Sequence, residues 1–119
     1  MLFRSIKLQY DLKLKSLPKL NEAISVATYR IVQECLTNIS RHAKAKHVSI
    51  LIHYQFKNKS NRFIDIIIHD DGIGFSKSHR DGFGLLGIKE RIYEMHGKMN
   101  VESKPKLGTR LTIQLPLQK

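Results

Sequence analysis

The chain has 119 residues, 41% of them hydrophobic, and a formal net charge of +11. That length carries one domain with a real core and excludes two, and no apolar run approaches the ~20 residues a membrane helix needs. A single cysteine, Cys35, excludes an internal disulfide, is too little for a Cys₄ or Cys₂His₂ zinc site and fits a reducing compartment.

Residues 6–15 alternate, with Ile6, Leu8, Tyr10, Leu12 and Leu14 on one face and Lys7, Gln9, Asp11, Lys13 and Lys15 on the other. Period two predicts a half-buried strand, which Leu17-Pro18 breaks. Asn21 is a helix N-cap with Glu22 in the first turn. Ile24, Ala27, Ile31, Cys35 and Ile39 then share one helical face, with Leu20 just before, and the helix is expected to run to about His42. Val48, Ile50, Ile52, Tyr54 and Phe56 predict a second strand. After a polar turn at 57–61, Phe63 to His69 predict a third, dense in isoleucine and therefore central. Ile88, Ile92 and Met95 mark a second helix that ends near Gly97. Met99 to Ser103 and Arg110 to Leu117 form a hairpin around Lys104-Pro105-Lys106-Leu107-Gly108. Two helices among five strands, several of them adjacent in sequence, predict an α+β fold. Its form is a two-layer sandwich, a mixed sheet with helices on one face, and not the alternation of a Rossmann domain.

Two glycine clusters stand between the third strand and the second helix: Asp70-Asp71-Gly72-Ile73-Gly74-Phe75 and Gly82-Phe83-Gly84-Leu85-Leu86-Gly87. A carboxylate at a strand end, a glycine turn and a helix start suit a nucleotide, because glycines let backbone N–H groups approach and a helix start favours phosphate. Asp-Asp-Gly is also a common turn, and Gly108-Thr109 needs no ligand to explain it. On the first helix Glu34 and Asn38 are four apart and share a face, with Arg41 and His42 one turn on. That face is either solvated or a phosphate and metal site, since Mg²⁺ accepts hard oxygen ligands such as an amide. The charge points to an acidic partner: nucleic acid, anionic lipid, nucleotide or acidic protein. The densest basic cluster, Arg41 to His47, lacks the aromatic interleaving of a single-strand binder.

Taken in order, Tyr29 to Asn38, Arg41-His42-Ala43, Asp70 to Phe75, Gly82 to Arg91 and Gly108-Thr109-Arg110 closely resemble the ATP-binding catalytic domain (HATPase_c) of sensor histidine kinases of the NarX/UhpB/DesK type. That domain belongs to the gyrase, Hsp90, histidine kinase and MutL superfamily. The resemblance spans roughly residues 17–117 and implies the Bergerat (GHKL) ATPase fold. It implies that Asn38 binds Mg²⁺, with Glu34 the acidic partner near the metal and γ-phosphate. Arg41 and His42 would meet phosphates, and Asp70 would read adenine, with Gly72 and Gly74 as the first glycine box and Phe75 after it. Gly82, Gly84, Leu85 and Gly87 would line the phosphates, Thr109 would assist adenine recognition, and Phe75 to Asp81 would form a short ATP lid, expected to be mobile without nucleotide.

The resemblance implies ATP as substrate, Mg²⁺ as cofactor and a protein histidine kinase activity that donates the γ-phosphate to a histidine on a separate dimerisation domain, for relay to a response regulator. That phosphoacceptor is expected to lie outside this sequence. None of His42, His47, His53, His69, His79 and His96 sits on a helix ahead of the Asn38 motif, and His69-Asp70 imitates the acceptor dipeptide by coincidence. The chain thus reads as one ATP-binding domain, residues 1–119, of a larger protein. The expectation is a monomeric piece of a homodimeric bacterial parent, cytoplasmic and tethered to the inner membrane, with no nucleic-acid partner and little turnover alone. The competing classes are an ATP-binding anti-sigma factor of the same superfamily and a nucleic-acid binder driven by charge.

Overall fold

The computed structural model describes residues 9–15, 17–39, 45–72, 85–104 and 106–117. The elements are β1 (Gln9–Lys15), α1 (Glu22–Asn38), β2 (His47–Asn58), β3 (Asn61–Asp70), α2 (Leu85–Glu94), β4 (Lys98–Lys104) and β5 (Gly108–Pro116). All seven predicted elements are present. They form one five-stranded sheet in the order β1-β2-β3-β5-β4, with β1 parallel to β2 and every other pair antiparallel. The sheet is mixed, β3 is its central strand, and both helices pack on one face.

The central strand alternates under the helices. Ile64, Ile66 and Ile68 are at most 1% exposed and face Ile31 of α1 and Ile88 and Ile92 of α2, each fully buried. β2 adds Val48, Ile50 and Ile52 to that layer, and β5 adds Leu111, Ile113 and Leu115. Burying an isoleucine contributes roughly 1.5–3 kcal/mol, so these rows hold the sheet to its helices. α1 begins as predicted: Asn21 is extended (φ −71°, ψ 166°) and its Oδ1 accepts the Ile24 N–H at 2.8 Å. Cys35 lies on the buried face, and burial together with the charge of Glu34 pushes its thiol up to about 12, an inert core position.

Two expectations change. The half-buried reading of the first strand fails at Leu12 and Leu14, which are 52% and 61% exposed. Register sets them beside Ile50 and Ile52, on the core face, but β1 is an edge strand and no described element covers them. The end of α2 also differs in mechanism. His96, not Gly97, takes the left-handed conformation (φ 62°). Gly97 closes the helix through its N–H to the Ile92 carbonyl at 2.9 Å, and a Cβ there would crowd the Gln114 carbonyl and the Leu115 side chain. Close approach to β5, not φ, demands glycine at this position.

Candidate nucleotide site

Asp70 continues the buried Ile64–Ile66–Ile68 row by two-residue alternation. It is the last residue of β3, 2% exposed, and faces the helix side of the sheet. Its Oδ1 accepts the Gly72 N–H at 2.8 Å, across the turn that begins at Asp71. Burial pushes its carboxyl above the usual carboxylate range, while backbone donors at Gly72 and Thr109 and the neighbouring His69 pull the other way. Asp70 makes no ion pair among the described residues. His69 points to the other, exposed face, so strand alternation sets the two side chains of His69-Asp70 on opposite sides of the sheet.

Thr109 stands beside Asp70 because β5 pairs antiparallel with β3 in that register. It is 4% exposed, and its Oγ1 shares a hydrogen bond of 2.9 Å with Ser103 Oγ of β4. Gly108 makes this approach possible. Its φ is +89°, and a Cβ on it would run into the Asp70 carbonyl oxygen. A glycine first read as belonging to a turn is therefore what lets the hairpin reach Asp70. A cleft of about 520 Å³ opens along this hairpin, lined by Ser103, Gly108 and Thr109 with His69, Glu102 and Arg110 among others.

Asp71 does a different job from its neighbour. Its Oδ1 accepts the backbone N–H groups of Lys46 and His47 at 2.8 and 3.0 Å, and its own N–H donates to the His47 carbonyl at 3.2 Å. The His47 imidazole stands 3.5 Å from Oδ2. These donors hold the Asp71 carboxyl below the usual range and tie the start of β2 to the end of β3. Sequence reasoning did not single out Asp71, because Asp-Asp-Gly is fully explained as a turn. Only the arrival of β2 beside β3 reveals the clamp.

The second group lies where α1 meets α2. Glu34 and Asn38 share a face of α1, as the spacing predicts. Gly87, on the first turns of α2, faces Glu34: a Cβ there would sit 3.7 Å from Glu34 Oε2. Arg91, one turn further along α2, places Nη2 3.7 Å from Glu34 Oε1. Two buried donors in this corner, Asn38 Nδ2 and Arg91 Nε, have no hydrogen-bond partner among the described residues. Among the described residues no group of three or more His, Cys, Asp or Glu could hold a metal by itself. Glu34 and Asn38 nevertheless carry the carboxylate and amide oxygens that a small hard cation takes when phosphate and water complete its shell; the Asn38 atom left without a partner among the described residues is Nδ2, a hydrogen-bond donor and not a metal ligand.

Leu85 opens α2. Arg41, His42, Gly74, Phe75, Gly82, Gly84 and the lid segment ending at Asp81 lie outside the described residues, as does the predicted run of α1 to His42. The structure thus brings Asp70, Gly72 and Thr109 together in one corner and Glu34, Asn38 and Gly87 in another, on the same side of the sheet.

Residues 23–119 match a family model described as histidine kinase-, DNA gyrase B-, and HSP90-like ATPase. The chain belongs to that family. Its curated relatives include the signal transduction histidine-protein kinase/phosphatase DegS of Brevibacillus brevis, 36% identical over 98 residues and covering 81% of this chain and 24% of DegS. UhpB of Salmonella typhimurium, of the same description, is 36% identical over 98 residues, covering 82% of this chain and 18% of its own. The chain thus spans about a quarter or less of these relatives. In fold it is similar to the blue-light activated histidine kinase of Erythrobacter litoralis (TM-score 0.72, 17% identity, 93% of this chain and 36% of that one). The histidine kinase AdeS of Acinetobacter baumannii is also similar (TM-score 0.67, 17% identity, 98% and 58%). The chain is an ATPase-family domain of the sensor histidine kinase kind, and no described helix is long and apolar enough to cross a membrane.

Proposed function

We propose that this domain binds Mg·ATP between its two corners and presents the γ-phosphate to a histidine on a separate dimerisation domain, for relay to a response regulator. The observation that carries the reading is Asp70. A carboxylate at 2% exposure with no ion pair among the described residues, fixed by Gly72 and Thr109, is costly to bury. A base amine that donates to it would offset that cost. Gly72 leaves room beside it, and Thr109 offers a hydroxyl next door.

At the other corner, Asn38 and Glu34 would hold Mg²⁺, which when bound neutralises phosphate charge. The helix start at Leu85 and the backbone near Gly87 would face the phosphates, with Gly82 and Gly84 before them. Arg41 and His42 would add cationic contacts. Catalysis by the chain's own residues would be positioning and charge complementarity. The acceptor histidine, the response regulator, the homodimeric and membrane-anchored parent and the single-domain extent over residues 1–119 are parts of the same proposal.

The test is calorimetric titration with ATP and Mg²⁺, in wild type and Asp70→Asn. Saturable binding that Asp70→Asn abolishes supports the reading. No heat and no thermal shift at millimolar nucleotide would end it. Transfer of phosphate to a separately made histidine-bearing hairpin separates a kinase from an ATP-binding module of the anti-sigma type.

A further inference from the structure

Arg91 has no role in the nucleotide site described above, yet its guanidinium lies in it. It approaches Glu34 Oε1 at 3.7 Å, while a Cβ on Gly87 would sit 3.7 Å from Oε2, so α2 runs close beside the Glu34 carboxylate. The two side chains are 38% and 39% exposed, and an ion pair that open contributes little to stability. Arg91 Nε is buried and without a partner among the described residues, an arrangement that works against stability. The fold therefore keeps a costly donor beside a pair of small energetic value. One turn from Glu34, Asn38 Nδ2 is buried and also without a partner among the described residues. The single 3.7 Å approach is an electrostatic contact longer than a hydrogen bond; a guanidinium, a rigid planar fork, can orient a carboxylate that closes on it where a lysine would only supply charge.

We propose that Arg91 is a positioning residue that aims the Glu34 carboxylate from α2, so that Glu34 and Asn38 present one oxygen-donor edge to the metal of bound Mg·ATP. Arg91 touches neither nucleotide nor metal in this arrangement and acts through Glu34. The proposal rests on the nucleotide-site reading and adds a residue to it. It also makes the metal edge depend on how α2 docks on α1.

The experiment is calorimetry of the whole chain with ATP alone and with ATP plus Mg²⁺, in wild type, Arg91→Met, Arg91→Lys, Glu34→Gln and the Glu34→Gln/Arg91→Met double variant, with thermal unfolding alongside. Arg91→Met should lose about tenfold in Mg·ATP affinity, the loss typical of a residue that orients a metal ligand. Its affinity for ATP without Mg²⁺ should stay within about threefold, and its unfolding midpoint within about 2 °C. Arg91→Lys should recover part of the loss. The double variant should bind Mg·ATP no more weakly than Glu34→Gln, because Arg91 acts only through that carboxylate. A purely structural Arg91 would move the midpoint and both affinities together, and that result overturns the proposal. So does an unchanged Mg·ATP affinity in Arg91→Met, or losses that multiply in the double variant. A wild type that binds nucleotide without any effect of Mg²⁺ removes the metal reading, and this proposal with it. A wild type that binds Mg·ATP normally while Arg91→Met is silent removes only the proposal.

Discussion

The corner at Asp70 and the corner between α1 and α2 are built to different tolerances. At Asp70 every group is set by strand register: Thr109 opposite Asp70, Ser103 opposite Thr109, Gly108 in contact with the β3 backbone. Backbone N–H groups at Gly72 and Thr109 fix the carboxylate in place, and Asp71 clamps the adjoining segment. Between α1 and α2 the ion pair is side chain to side chain, 3.7 Å long and half open, and two buried donors have no partner among the described residues. Under the proposed function the first corner would discriminate a planar base, where rigid donors and acceptors serve specificity. The second would receive a ligand that brings its own metal and charge. Rigidity would then sit where recognition needs it, and unmet polarity where charge arrives.

The contrast breaks most severely at Gly108. Gly108→Ala adds a Cβ at positive φ, against the Asp70 carbonyl. We expect a loss of roughly 2–4 kcal/mol in denaturant unfolding, with nucleotide binding lost as well. Asp70→Asn should have the next largest effect and should separate function from stability. Nucleotide affinity should fall at least about 100-fold, the penalty for a mispaired buried hydrogen-bonding group. Stability at neutral pH should hold or rise. The sign follows from burial. A carboxyl raised in the folded state contributes stability below its unfolded value, and that contribution is lost as pH climbs through the folded one. Unfolding midpoints of wild type and Asp70→Asn should therefore converge as pH drops below the ordinary carboxylate range. A destabilised Asp70→Asn at neutral pH would contradict this account.

Asp71 predicts the opposite slope one residue away. Its carboxyl is held low by the Lys46 and His47 amides, so its contribution is present above the unfolded value and fades as pH falls through the folded one. Asp71→Ala should cost about 1 kcal/mol at neutral pH, discounted for its half-exposed position. The difference should shrink in acid, and nucleotide affinity should change by no more than a few fold. Equilibrium unfolding across pH in the two variants reads both slopes in one experiment.

Much of this was legible in the sequence because it is local. Alternation in residues 48–56 and 63–69, the Asn21 cap and the Ile88–Ile92 spacing depend on neighbours in the chain, and the elements stand where those patterns put them. Asp70, Gly72 and Thr109 were legible as motifs, and the register of β3 with β5 explains why motifs so far apart belong together. What stayed hidden is what depends on long-range approach. Leu12 and Leu14 alternate like buried residues, and nothing in the alternation says that β1 is an edge. Gly108 looks like a turn glycine until β3 lies beneath it. Asp71 looks like a turn aspartate until β2 arrives, and nothing in the Gly82 to Arg91 motif says that Arg91 reaches Glu34 across the two helices.

The smallest expected effect sharpens the comparison most, because it asks whether the second corner matters to folding at all. Glu34→Gln removes the charge from an ion pair that is 39% exposed on its own side and 38% on the other. Such a pair contributes about 0–1 kcal/mol, and the glutamine keeps an acceptor oxygen for Arg91. The unfolding free energy should change by no more than about 0.5 kcal/mol, well below the loss at Gly108. Because the pair is charged and open to solvent, whatever change exists should vanish at high salt. If Glu34→Gln were instead to destabilise the domain as Gly108→Ala does, the α1–α2 corner would be a structural joint like the first, and the distinction between a rigid and an unsatisfied wall would collapse.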